Sequence, residues 1–455
     1  MKNRLAIYLA MLMMTFFVTS CFDKGEDATL SPYAMLSSFS INKIESEYPD
    51  FTSAGVDTFV VKTVQGGLYP FSINQATCEV YNQDSLPFAT KVDKVVINMQ
   101  LTGYATLYVD SLGIFEGFYS TDSLDFSYPR KFRITSTDGT YYRDYTVSVN
   151  VHKVNPDLMV WNSYASLDSV KPLRVLEYNG AICLFGEREK DGELLLATTP
   201  LQGAATWQQD TIVGLPTTVN LATVQVFGGA LHVVAGDGIY TSTNGTDWSL
   251  SYSGNGLLAI IGASDVDGKM WVASDSELLF TADGSNFESA GALPAGFPVH
   301  GVSIVSYEMN HNKSIVRYML VGYETEAMDG DAVVWSKLST ETTWVKYDNA
   351  DNPFPCPALK GLTVVRYDGN LYAFGGAGTV EGAPVDAFSS FYISKDNGIT
   401  WKVPEDFYQR MPGALLGCDV PFVATVDSNN VMWMVCAGDK PAIWKGIVNR
   451  LGFKK

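Results

Sequence analysis

A turn motif near the C-terminal end of the chain constrains the fold more than any other feature of the sequence. Residues 394–401 read Ser-Lys-Asp-Asn-Gly-Ile-Thr-Trp, and incomplete copies of this turn recur upstream at intervals of roughly forty to sixty residues. A hairpin turn that repeats with this period is typical of a β-propeller, because each four-stranded blade must pack between two neighbours to bury its faces. The repeat therefore predicts a propeller.

The repeat can be counted from Leu158 onward, where the chain divides into six units of similar pattern. Each unit has a strand, a tight turn, a second strand that ends in small residues, a loop, and a third strand that leads to an aromatic residue. The tight turns are rich in Asn, Asp and Gly, which tolerate the positive φ of a two-residue hairpin. The predicted second strands cover residues 181–186, 231–236, 270–275, 318–322, 371–376 and 432–438.

Closing aromatic residues indicate the number of blades. One stands at the end of each unit, at Trp207, Trp248, Phe287, Trp344, Trp401 and Trp444. Six closing residues predict a six-bladed propeller over residues 158–455. A seven-bladed alternative stays open, in which residues 158–170 or a long loop contribute more than a closing strand. Residues 159–161 could complete the last blade, which is how many propellers fasten their ring.

The chemistry of the repeated turn is structural. In the complete copy, Asp396 can accept backbone N–H groups, Gly398 supplies an otherwise strained φ, and Trp401 packs between neighbouring sheets. The copy that ends at Trp248 has Thr243 in the aspartate position, and the copy that ends at Phe287 keeps only the glycine and the aromatic residue. We assign a turn-stabilising role to Ser394, Asp396, Gly398, Trp401, Gly245 and Trp248.

The complete turn resembles the Asp-box of sialidases and of sortilin-like and photosystem-assembly propellers, and residues 369–376 resemble the core of a kelch blade. Both resemblances imply the fold and no activity. A sialidase needs a carboxylate-binding arginine triad and an Arg-Ile-Pro motif, and no arginine of residues 158–455 is followed by Ile-Pro. A copper oxidase of the galactose-oxidase kind needs a histidine pair, whereas His232 stands where other units have an aromatic residue. We therefore predict no catalytic residues of either kind and no metal site.

The N-terminal segment predicts export and a lipid anchor. Two basic residues precede an apolar run from Leu5 to Val18, which is too short for a permanent membrane span. Ser20 before Cys21 resembles a bacterial lipobox, which implies a signal peptide at 1–20 and a lipidated Cys21 in a flexible tether at 21–30. The alternative is ordinary signal-peptidase cleavage near Ser20. Lipidation implies attachment to the outer membrane, at the cell surface or, as the alternative, on its periplasmic face.

The acidic composition excludes nucleic acid as a partner. The chain has 31 basic and 49 acidic residues and a net charge of −18, and loss of residues 1–20 would leave 29 basic residues and a net charge of −20. Such a chain repels a phosphate backbone. Contact with the membrane is therefore expected through the lipid and not through a polybasic surface.

Residues 31–154 predict an immunoglobulin-like β-sandwich ahead of the propeller. A hairpin at 132–151 has an Asp138-Gly139 turn, and its second arm resembles the closing hairpin of immunoglobulin-like modules in bacterial surface lipoproteins. The resemblance implies a spacer, and the alternative is an independent binding role. Four residues of the second arm share one face: Tyr145, Val147, Val149 and Val151.

Five cysteines remain if Cys21 is lipidated, and an odd number cannot all pair. None stands in a Cys-x-x-Cys pattern, so the spacing supports neither a zinc nor a redox site. Cys183 and Cys436 lie in apolar strands and are expected to be buried. A disulfide between Cys356 and Cys418 is an open alternative to free thiols.

A ligand site is expected on the propeller face opposite the tight turns, where the loops between second and third strands and the interblade connections gather. Acidic groups beside aromatic rings suit a sugar, because rings stack on pyranose faces and carboxylates accept hydroxyl protons. They also suit calcium, although no cofactor is expected. The candidate rim residues are Glu324, Glu326, Asp329, Asp331, Glu381, Asp386, Phe407, Tyr408 and Arg410.

The whole chain resembles surface lipoproteins of Bacteroidota-type bacteria that join an immunoglobulin-like domain to a propeller, and its ending at 443–453 is part of that resemblance. We therefore expect a non-catalytic, lipid-anchored cell-envelope protein whose propeller binds a glycan or a protein partner. Two alternatives stay open. One is a glycan-active hydrolase or lyase that uses the acidic rim loops, and the other is an envelope scaffold without a small-molecule site.

Overall fold

The structure, a computed structural model, describes residues 30–51, 57–167, 169–203, 205–236, 238–325, 331–347, 351–404, 408–438 and 442–452. The predicted signal peptide and Cys21 lie outside these residues. The chain divides between Asn155 and Pro156 into two compact units, and almost all of its described elements are β-strands. The prediction of an all-β protein is therefore confirmed.

The N-terminal unit has eleven strands among its described residues. They are β1 (Met35–Ile41), β2 (Lys43–Phe51), β3 (Asp57–Gln65), β4 (Phe71–Asn74), β5 (Glu79–Asn82), β6 (Val95–Thr102), β7 (Tyr104–Val109), β8 (Ile114–Glu116), β9 (Ser123–Leu124), β10 (Arg130–Thr135) and β11 (Tyr142–Ser148). One sheet has the order β1-β6-β9, a second has the order β4-β5-β11-β10-β7-β8, and β2 pairs with β3. A short 3-10 turn, Gly66–Leu68, follows β3.

Both larger sheets of this unit contribute to one hydrophobic core. Leu36 of β1 and Ile97 of β6 belong to the same cluster of buried side chains as Phe132 of β10 and Val147 of β11. In an antiparallel sheet with one buried and one solvated face, apolar residues of this kind alternate along each strand with polar residues that face the solvent. The two sheets therefore cover each other's apolar faces.

The hairpin predicted at 132–151 is confirmed. β10 and β11 pair in antiparallel register, and Gly139 in the turn has a φ of +71°. Tyr145 and Val147 are fully buried, whereas Val149 and Val151 follow β11 and are partly buried against the same core. The four residues predicted to share one face therefore all face the core.

The C-terminal unit has twenty-six strands among its described residues. The first thirteen are β12 (Met159–Ser163), β13 (Val170–Tyr178), β14 (Ala181–Arg188), β15 (Leu194–Pro200), β16 (Gln208–Thr211), β17 (Gln225–Phe227), β18 (Ala230–Ala235), β19 (Gly238–Ser242), β20 (Ser249–Ser253), β21 (Leu257–Ser264), β22 (Lys269–Ser274), β23 (Glu277–Thr281) and β24 (Glu288–Ala292). The others are β25 (His300–Met309), β26 (Asn312–Tyr323), β27 (Val333–Leu338), β28 (Val345–Lys346), β29 (Ala358–Leu359), β30 (Thr363–Tyr367), β31 (Asn370–Phe374), β32 (Gly378–Val380), β33 (Ala383–Val385), β34 (Tyr392–Ser394), β35 (Phe422–Val426), β36 (Met432–Cys436) and β37 (Ala442–Val448). Two 3-10 turns, Leu221–Thr223 and Gly413–Leu415, and a terminal helix, α1 (Asn449–Gly452), complete the unit.

Twenty-three of these strands form six antiparallel sheets in chain order, and β29, β32 and β33 form a separate small sheet. Sheets 1 to 4 are β13–β16, β17–β20, β21–β24 and β25–β28. Sheet 5 is β30, β31 and β34, extended by an isolated bridge between Ile393 and Lys402. Sheet 6 is β35, β36, β37 and β12. The six predicted second strands are confirmed, as β14, β18, β22, β26, β31 and β36.

The first strands of the six sheets surround a common axis. Each first strand is an edge strand of its sheet: β13, β17, β21, β25, β30 and β35. Each of them lies beside the first strand of the next sheet or beside the turn that leads into that strand, and β35 lies beside β13. One cluster of buried apolar residues lies at each of the six described interfaces between sheets. For example, Phe185 of sheet 1 packs with Leu231 of sheet 2. The sheets therefore form a closed ring.

The tight turns after the first strands are linked around the ring at one end. In the described part of the chain, each pair of neighbouring sheets is joined by at least one polar side-chain contact that involves the tight turn of one of them. The contacts are Tyr178 to Gly229, Gly228 to Asp265, Tyr318 to Asp267, Arg366 to Asn310, Arg450 to Asp368 and Ser428 to Glu177. We call this end of the ring the linked-turn end. The loops between second and third strands must then lie at the opposite end.

The ring is closed by strands from the two ends of the unit. β12 pairs in antiparallel register with β37, so that Met159 lies opposite Val448 and Trp161 opposite Gly446. This confirms that residues 159–161 complete the last sheet. It also corrects the assignment of Trp444, which lies inside the third strand of sheet 6 because the outermost strand of that sheet comes from the beginning of the unit.

Replacement of Tyr318 by Phe tests the linked-turn end. The fully buried Tyr318 donates its hydroxyl to Asp267 Oδ1 at 2.5 Å, and burial together with this carboxylate raises the pKa of Tyr318. Loss of a hydrogen bond to a charged group is expected to lower the free energy of unfolding by about 1–3 kcal/mol, measured by urea unfolding. Tyr240→Phe is the control, because its hydroxyl has no hydrogen-bond partner in the structure and its loss should be smaller. Equal losses in the two variants would contradict the role of the link.

Candidate functional site

The complete Asp-box folds as a closed turn after β34. Asp396 Oδ1 accepts the Ser394 hydroxyl at 2.8 Å and the Thr400 N–H at 2.9 Å, and Oδ2 accepts the Thr400 hydroxyl at 2.6 Å. The Gly398 N–H donates to Ser394 Oγ at 2.7 Å, and Trp401 Nε1 donates to the Gly398 carbonyl at 3.0 Å. Burial raises the pKa of Asp396, but the bonds from Thr400 and Ser394 outweigh it and leave the pKa below its usual value. These are the contacts that a turn-stabilising role requires.

The second copy of the turn, which ends at Trp248, is one residue shorter, and this corrects the assignment of Thr243. Asn244 takes the place of the aspartate, since its Oδ1 accepts two backbone N–H groups of the turn at 2.9 and 3.0 Å. The Gly245 N–H donates to Ser242 Oγ at 2.8 Å, and Trp248 Nε1 donates to the Gly245 carbonyl at 2.9 Å. The hydrogen-bond pattern is therefore the same as in the complete copy.

The third copy, which ends at Phe287, also has the acceptor residue of the motif, although this residue stands one position closer to the glycine than in the complete copy. Asp283 Oδ1 accepts the N–H groups of Ser285 and Asn286 at 2.8 Å each, and the Gly284 N–H donates to Thr281 Oγ1 at 3.0 Å. Hydrogen bonds from Asn286 and Ser285 hold the pKa of Asp283 well below its usual value. In both short copies the glycine follows the Asp or Asn directly, so an alignment based on the longer spacing misses the acceptor.

The glycine of each turn lets the turn pack closely against the preceding sheet. Gly398 has a φ of +91°, and a Cβ atom there would collide with Met319 of sheet 4. Gly284 has a φ of +75°, and its Cβ would lie 2.8 Å from His232 Cε1 of sheet 2. Any larger residue would therefore meet both backbone strain and a neighbouring side chain. The Asp-boxes therefore help to join neighbouring sheets.

His232 packs as part of the core. Its ring is buried, Nε2 lies 3.2 Å from the Phe227 carbonyl, Nδ1 lies 3.0 Å from Thr241 Oγ1, and burial lowers the pKa of the imidazole. In the described residues, no three His, Cys, Asp or Glu side chains are grouped closely enough to hold a metal ion. No helix in the described ranges is long and apolar enough to cross a bilayer.

The cysteines of the described residues carry free thiols. Cys183, Cys356 and Cys436 are buried, and Cys418 is exposed, so the alternative of a disulfide between Cys356 and Cys418 is not formed in this structure. Burial raises the pKa of Cys183 to about 11. For Cys436, burial and the neighbouring Cys418 raise the pKa to about 12. The buried thiols therefore stay protonated at neutral pH.

The end of the ring opposite the linked turns carries an additional sheet. β32 and β33 form a hairpin in the loop between the second and third strands of sheet 5, and β29, in the connection that leads into sheet 5, pairs with β32. Glu381 lies at the hairpin tip with a φ of +51°, and Asp386 follows β33; both are exposed. Two predicted rim carboxylates therefore lie on or beside this additional sheet.

The other acidic rim residues lie in loops of the same end. Glu324 and Asp331 flank the loop after β26 and are exposed, and Glu324 forms an ion pair with Lys346 of β28. Asp419, in the connection to sheet 6, pairs with Lys360 at 2.8 Å. Three predicted rim residues lie outside the described residues, namely Glu326, Asp329 and Phe407.

Tyr408 and Arg410 lie against β12, the outermost strand of sheet 6. The Met159 N–H donates to the Tyr408 carbonyl at 2.8 Å, and Trp161 Nε1 donates to the Arg410 carbonyl at 2.6 Å. Their backbone carbonyls therefore help to fix the closing strand. The described rim residues lie on separate elements of sheets 4, 5 and 6 and do not form one ion-pair cluster.

Two polar residues of the inner strands were not singled out by the sequence pattern. The side chain of Arg174 of β13 has no hydrogen bond or ion pair with another described residue, and its Nε is shielded from solvent. Burial lowers the pKa of its guanidinium to about 10, which still leaves it charged at neutral pH. Gln225 of β17 also has a shielded Nε2 without a partner. The strand Val170–Tyr178 has three charged residues, Lys171, Arg174 and Glu177, so the sequence has no signal that separates Arg174 from the other two.

Two domain families match the chain. The family described as "DUF6242 beta propeller domain" matches residues 155–455, and the one described as "Domain of unknown function (DUF6242) N-terminal domain" matches residues 39–149. No curated protein matches the chain.

Several solved structures are similar to the chain at low identity. An alpha-L-arabinanase of Penicillium chrysogenum in complex with arabinobiose is 12% identical over 63% of this chain and 98% of its own, with a TM-score of 0.40. A Carbohydrate-Active Enzymes Family AA12 protein of Trichoderma reesei is 9% identical over 64% of this chain and 96% of its own, with a TM-score of 0.39. The GH74 enzyme of Niastella koreensis is 14% identical over 70% of this chain and 48% of its own, with a TM-score of 0.32. These likenesses carry no argument about function.

Replacement of Asp396 by Asn tests the carboxylate of the Asp-box. In the Asn variant an amide nitrogen replaces Oδ2 and cannot accept the hydrogen bond from the Thr400 hydroxyl. The free energy of unfolding at pH 7 is therefore expected to fall by about 1 kcal/mol. Because the pKa of Asp396 is lowered in the folded protein, its contribution is present above the ordinary value of 3.8 and is lost as the pH falls through the folded-state value. Urea unfolding at neutral and acidic pH measures both effects.

The control for this variant is Asp210→Asn, because Asp210 is exposed on β16. Its free energy of unfolding should change by no more than about 0.5 kcal/mol. If both variants lose the same amount at pH 7, or if the Asp396 variant keeps its full deficit in strong acid, the carboxylate does not stabilise the turn.

Proposed function

We propose that this chain, which belongs to the DUF6242 family, is a lipid-anchored cell-envelope protein whose propeller binds a glycan without converting it. The family match provides the propeller fold and no activity. The reasons for a binding function come from a difference between the two ends of the ring. At one end the polar groups join neighbouring sheets, and at the other end the chain forms additional loops. A protein partner in place of a glycan is the nearest alternative.

We infer that the propeller has six blades. The six sheets follow one another in the chain, their first strands surround one axis, and β12 supplies the outermost strand of the last sheet. This arrangement supports six blades over seven, because the segment that could have begun another blade is used as the closing strand. The N-terminal unit, with two sheets over one core, is consistent with an immunoglobulin-like sandwich that acts as a spacer.

The additional sheet of β29, β32 and β33 is the observation that carries the proposal. The linked-turn end uses its polar groups to join the sheets, whereas the opposite end extends the chain beyond what the ring needs. Loops that a rigid scaffold holds in place are where binding residues commonly lie. We therefore place the glycan site at the opposite end, with Glu381 and Asp386 as acceptors for sugar hydroxyl groups.

Binding without catalysis is favoured by the state of the neighbouring acidic groups. Glu324 and Asp419 are each held by a lysine, at Lys346 and Lys360. Each of these two carboxylates is therefore engaged in an ion pair. A glycosidase needs one carboxyl group that is kept protonated. The alternative of a glycan-active enzyme is therefore kept as an outcome of the binding experiment.

The lipid anchor is proposed from Cys21, which lies outside the described residues. Cys21→Ser is expected to abolish incorporation of a labelled fatty acid and to release the protein from the membrane fraction, because the lipid is the proposed membrane contact. Cys418→Ser is the matched control, since Cys418 is an exposed free thiol and its loss should change neither property. Unchanged labelling of the Cys21 variant would overturn the anchor.

A glycan array tests the binding function with the full-length protein in detergent, both with calcium and with a chelator. Retention of a polysaccharide with no new reducing ends or unsaturated products supports binding. Release of such products supports the enzyme alternative. Silence on the array, together with co-purification of another envelope protein, supports the protein partner or scaffold. Loss of retention in the chelator assigns calcium to the site.

The same array locates the site. A double variant, Glu381→Gln with Asp386→Asn, is expected to bind the retained glycan about tenfold more weakly, because two charged acceptors are lost. Asp396→Asn, at the Asp-box, should keep its affinity even though it loses stability. A clear loss of affinity in Asp396→Asn with an unchanged melting temperature would show that the site lies at the linked-turn end.

A further inference from the structure

A cleft of about 300 Å³ opens in the N-terminal unit, where β1 and β11 begin and β6 ends. Five of the residues that line it carry the argument, namely Tyr33, Met35, Thr102, Tyr141 and Arg143. Tyr33 is 73% exposed and Tyr141 is 54% exposed, and neither hydroxyl forms a hydrogen bond with a described residue. Two large side chains that the fold does not use therefore meet at one cavity.

The backbone segments that carry the two tyrosines are held by the same turn. The Tyr141 N–H donates to Ser136 Oγ at 3.0 Å, and the Ser136 N–H donates to the Tyr141 carbonyl at 2.9 Å. Ser31, two residues before Tyr33, donates its N–H to Thr137 Oγ1 at 2.6 Å, and this hydroxyl donates to the Ser31 carbonyl at 3.2 Å. Little ordering of the backbone is therefore needed when a ligand enters the cleft.

Arg143 supplies the charged group of the cleft, and it has no carboxylate partner among the described residues. Its Nη2 donates to the Gln75 carbonyl at 2.8 Å, and its Nη1 donates to Gln75 Oε1 at 3.3 Å. These two bonds hold the guanidinium in place but use only two of its five N–H donors. The hydroxyl of Thr102 also bonds to no described residue. Arg143 and Thr102 therefore keep hydrogen-bonding groups for a ligand.

The surroundings of the cleft favour a small ring over a peptide strand. β1 is an edge strand of its sheet, and an extended peptide could add to such an edge. However, the Leu36 N–H already donates to the Tyr145 hydroxyl at 3.3 Å, and the Leu36 carbonyl accepts Gln75 Nε2 at 2.6 Å. The volume of the cleft also lies at the low end of small-molecule pockets, which measure about 300–1,000 Å³.

We propose that this cleft binds one pyranose residue of a glycan. The face of a pyranose ring consists of C–H groups, which pack on aromatic side chains such as Tyr33 and Tyr141. Its hydroxyl groups can accept hydrogen bonds from Arg143 and Thr102. Tyrosine also gives a large contact area at a low cost in conformational entropy.

The proposal goes beyond the function proposed for the propeller. It gives the N-terminal unit a binding site of its own, in addition to the role of a spacer. This site uses none of the rim residues of the propeller, so each site can be removed without changing the residues of the other.

Saturation-transfer NMR tests the cleft on the full-length protein in detergent. The probes are the methyl pyranosides of glucose, galactose, mannose, xylose and glucuronic acid. Wild-type protein is expected to transfer saturation to at least one of them, and a titration of that probe gives its Kd. Tyr33→Ala combined with Tyr141→Ala is expected to raise the Kd about tenfold or more. Its melting temperature should stay the same, because both side chains are exposed.

Two control variants make the test specific to the rings. Tyr33→Phe combined with Tyr141→Phe keeps both rings, so its Kd should stay within about threefold of the wild-type value. Tyr119→Ala is the matched control, because Tyr119 belongs to the same unit, is 79% exposed and does not line the cleft. Its Kd should not change. If either control loses as much affinity as the double Ala variant, packing of the sugar on the cleft tyrosines is wrong.

The remaining outcomes separate this inference from the function proposed for the propeller. If Glu381→Gln combined with Asp386→Asn loses the pyranoside and the double Ala variant keeps it, the cleft inference is wrong and the propeller function stands. If the double Ala variant alone loses it, the cleft inference stands, whatever the glycan array shows for the propeller.

A protein ligand would give a different result. If no pyranoside receives saturation, the inference is wrong. If, in addition, another envelope protein co-purifies with wild-type protein and not with the double Ala variant, the cleft is a contact for a protein and not for a sugar.

Discussion

The pairing of β12 with β37 is the contact on which the ring depends. Sheets 1 to 4 are built from consecutive strands and sheet 5 is interrupted only by the hairpin of β32 and β33, but sheet 6 takes its outermost strand from the beginning of the unit. Trp161 of β12 covers Gly446, where a Cβ atom would lie 2.6 Å from the indole ring, so the two strands meet closely. This pairing ties the beginning of the unit to its last sheet, and that sheet packs on sheet 1 through a cluster that includes Val175 and Trp433. The whole unit is therefore expected to unfold as one.

Apolar burial and polar links play different parts in that ring. Each polar link contributes about 1 kcal/mol, whereas burial of one large apolar side chain contributes about 2 kcal/mol, and every interface between sheets buries many. The apolar clusters therefore hold the sheets together. Directional bonds such as Ser428 to Glu177 fix how one sheet is set against the next.

The sequence predicts what depends on local periodicity and turn chemistry. The tight turns and the six second strands could be placed from Asn, Asp and Gly pairs and from apolar runs, and β12 was expected at the closing position. Two short Asp-boxes were misread, because Asn244 and Asp283 stand one residue closer to the glycine than in the complete turn. Contacts between distant positions, such as Ser428 and Glu177 at a separation of 251 residues, leave no local signal.

The isolation of Arg174 is of the same non-local kind, since it depends on which side chains fail to reach the inner strand of sheet 1. In this ring every described interface between sheets has an apolar cluster with a polar link beside it. Because the packing of the ring comes from many apolar contacts, one inner-strand side chain that lacks a polar partner does not prevent the sheets from assembling.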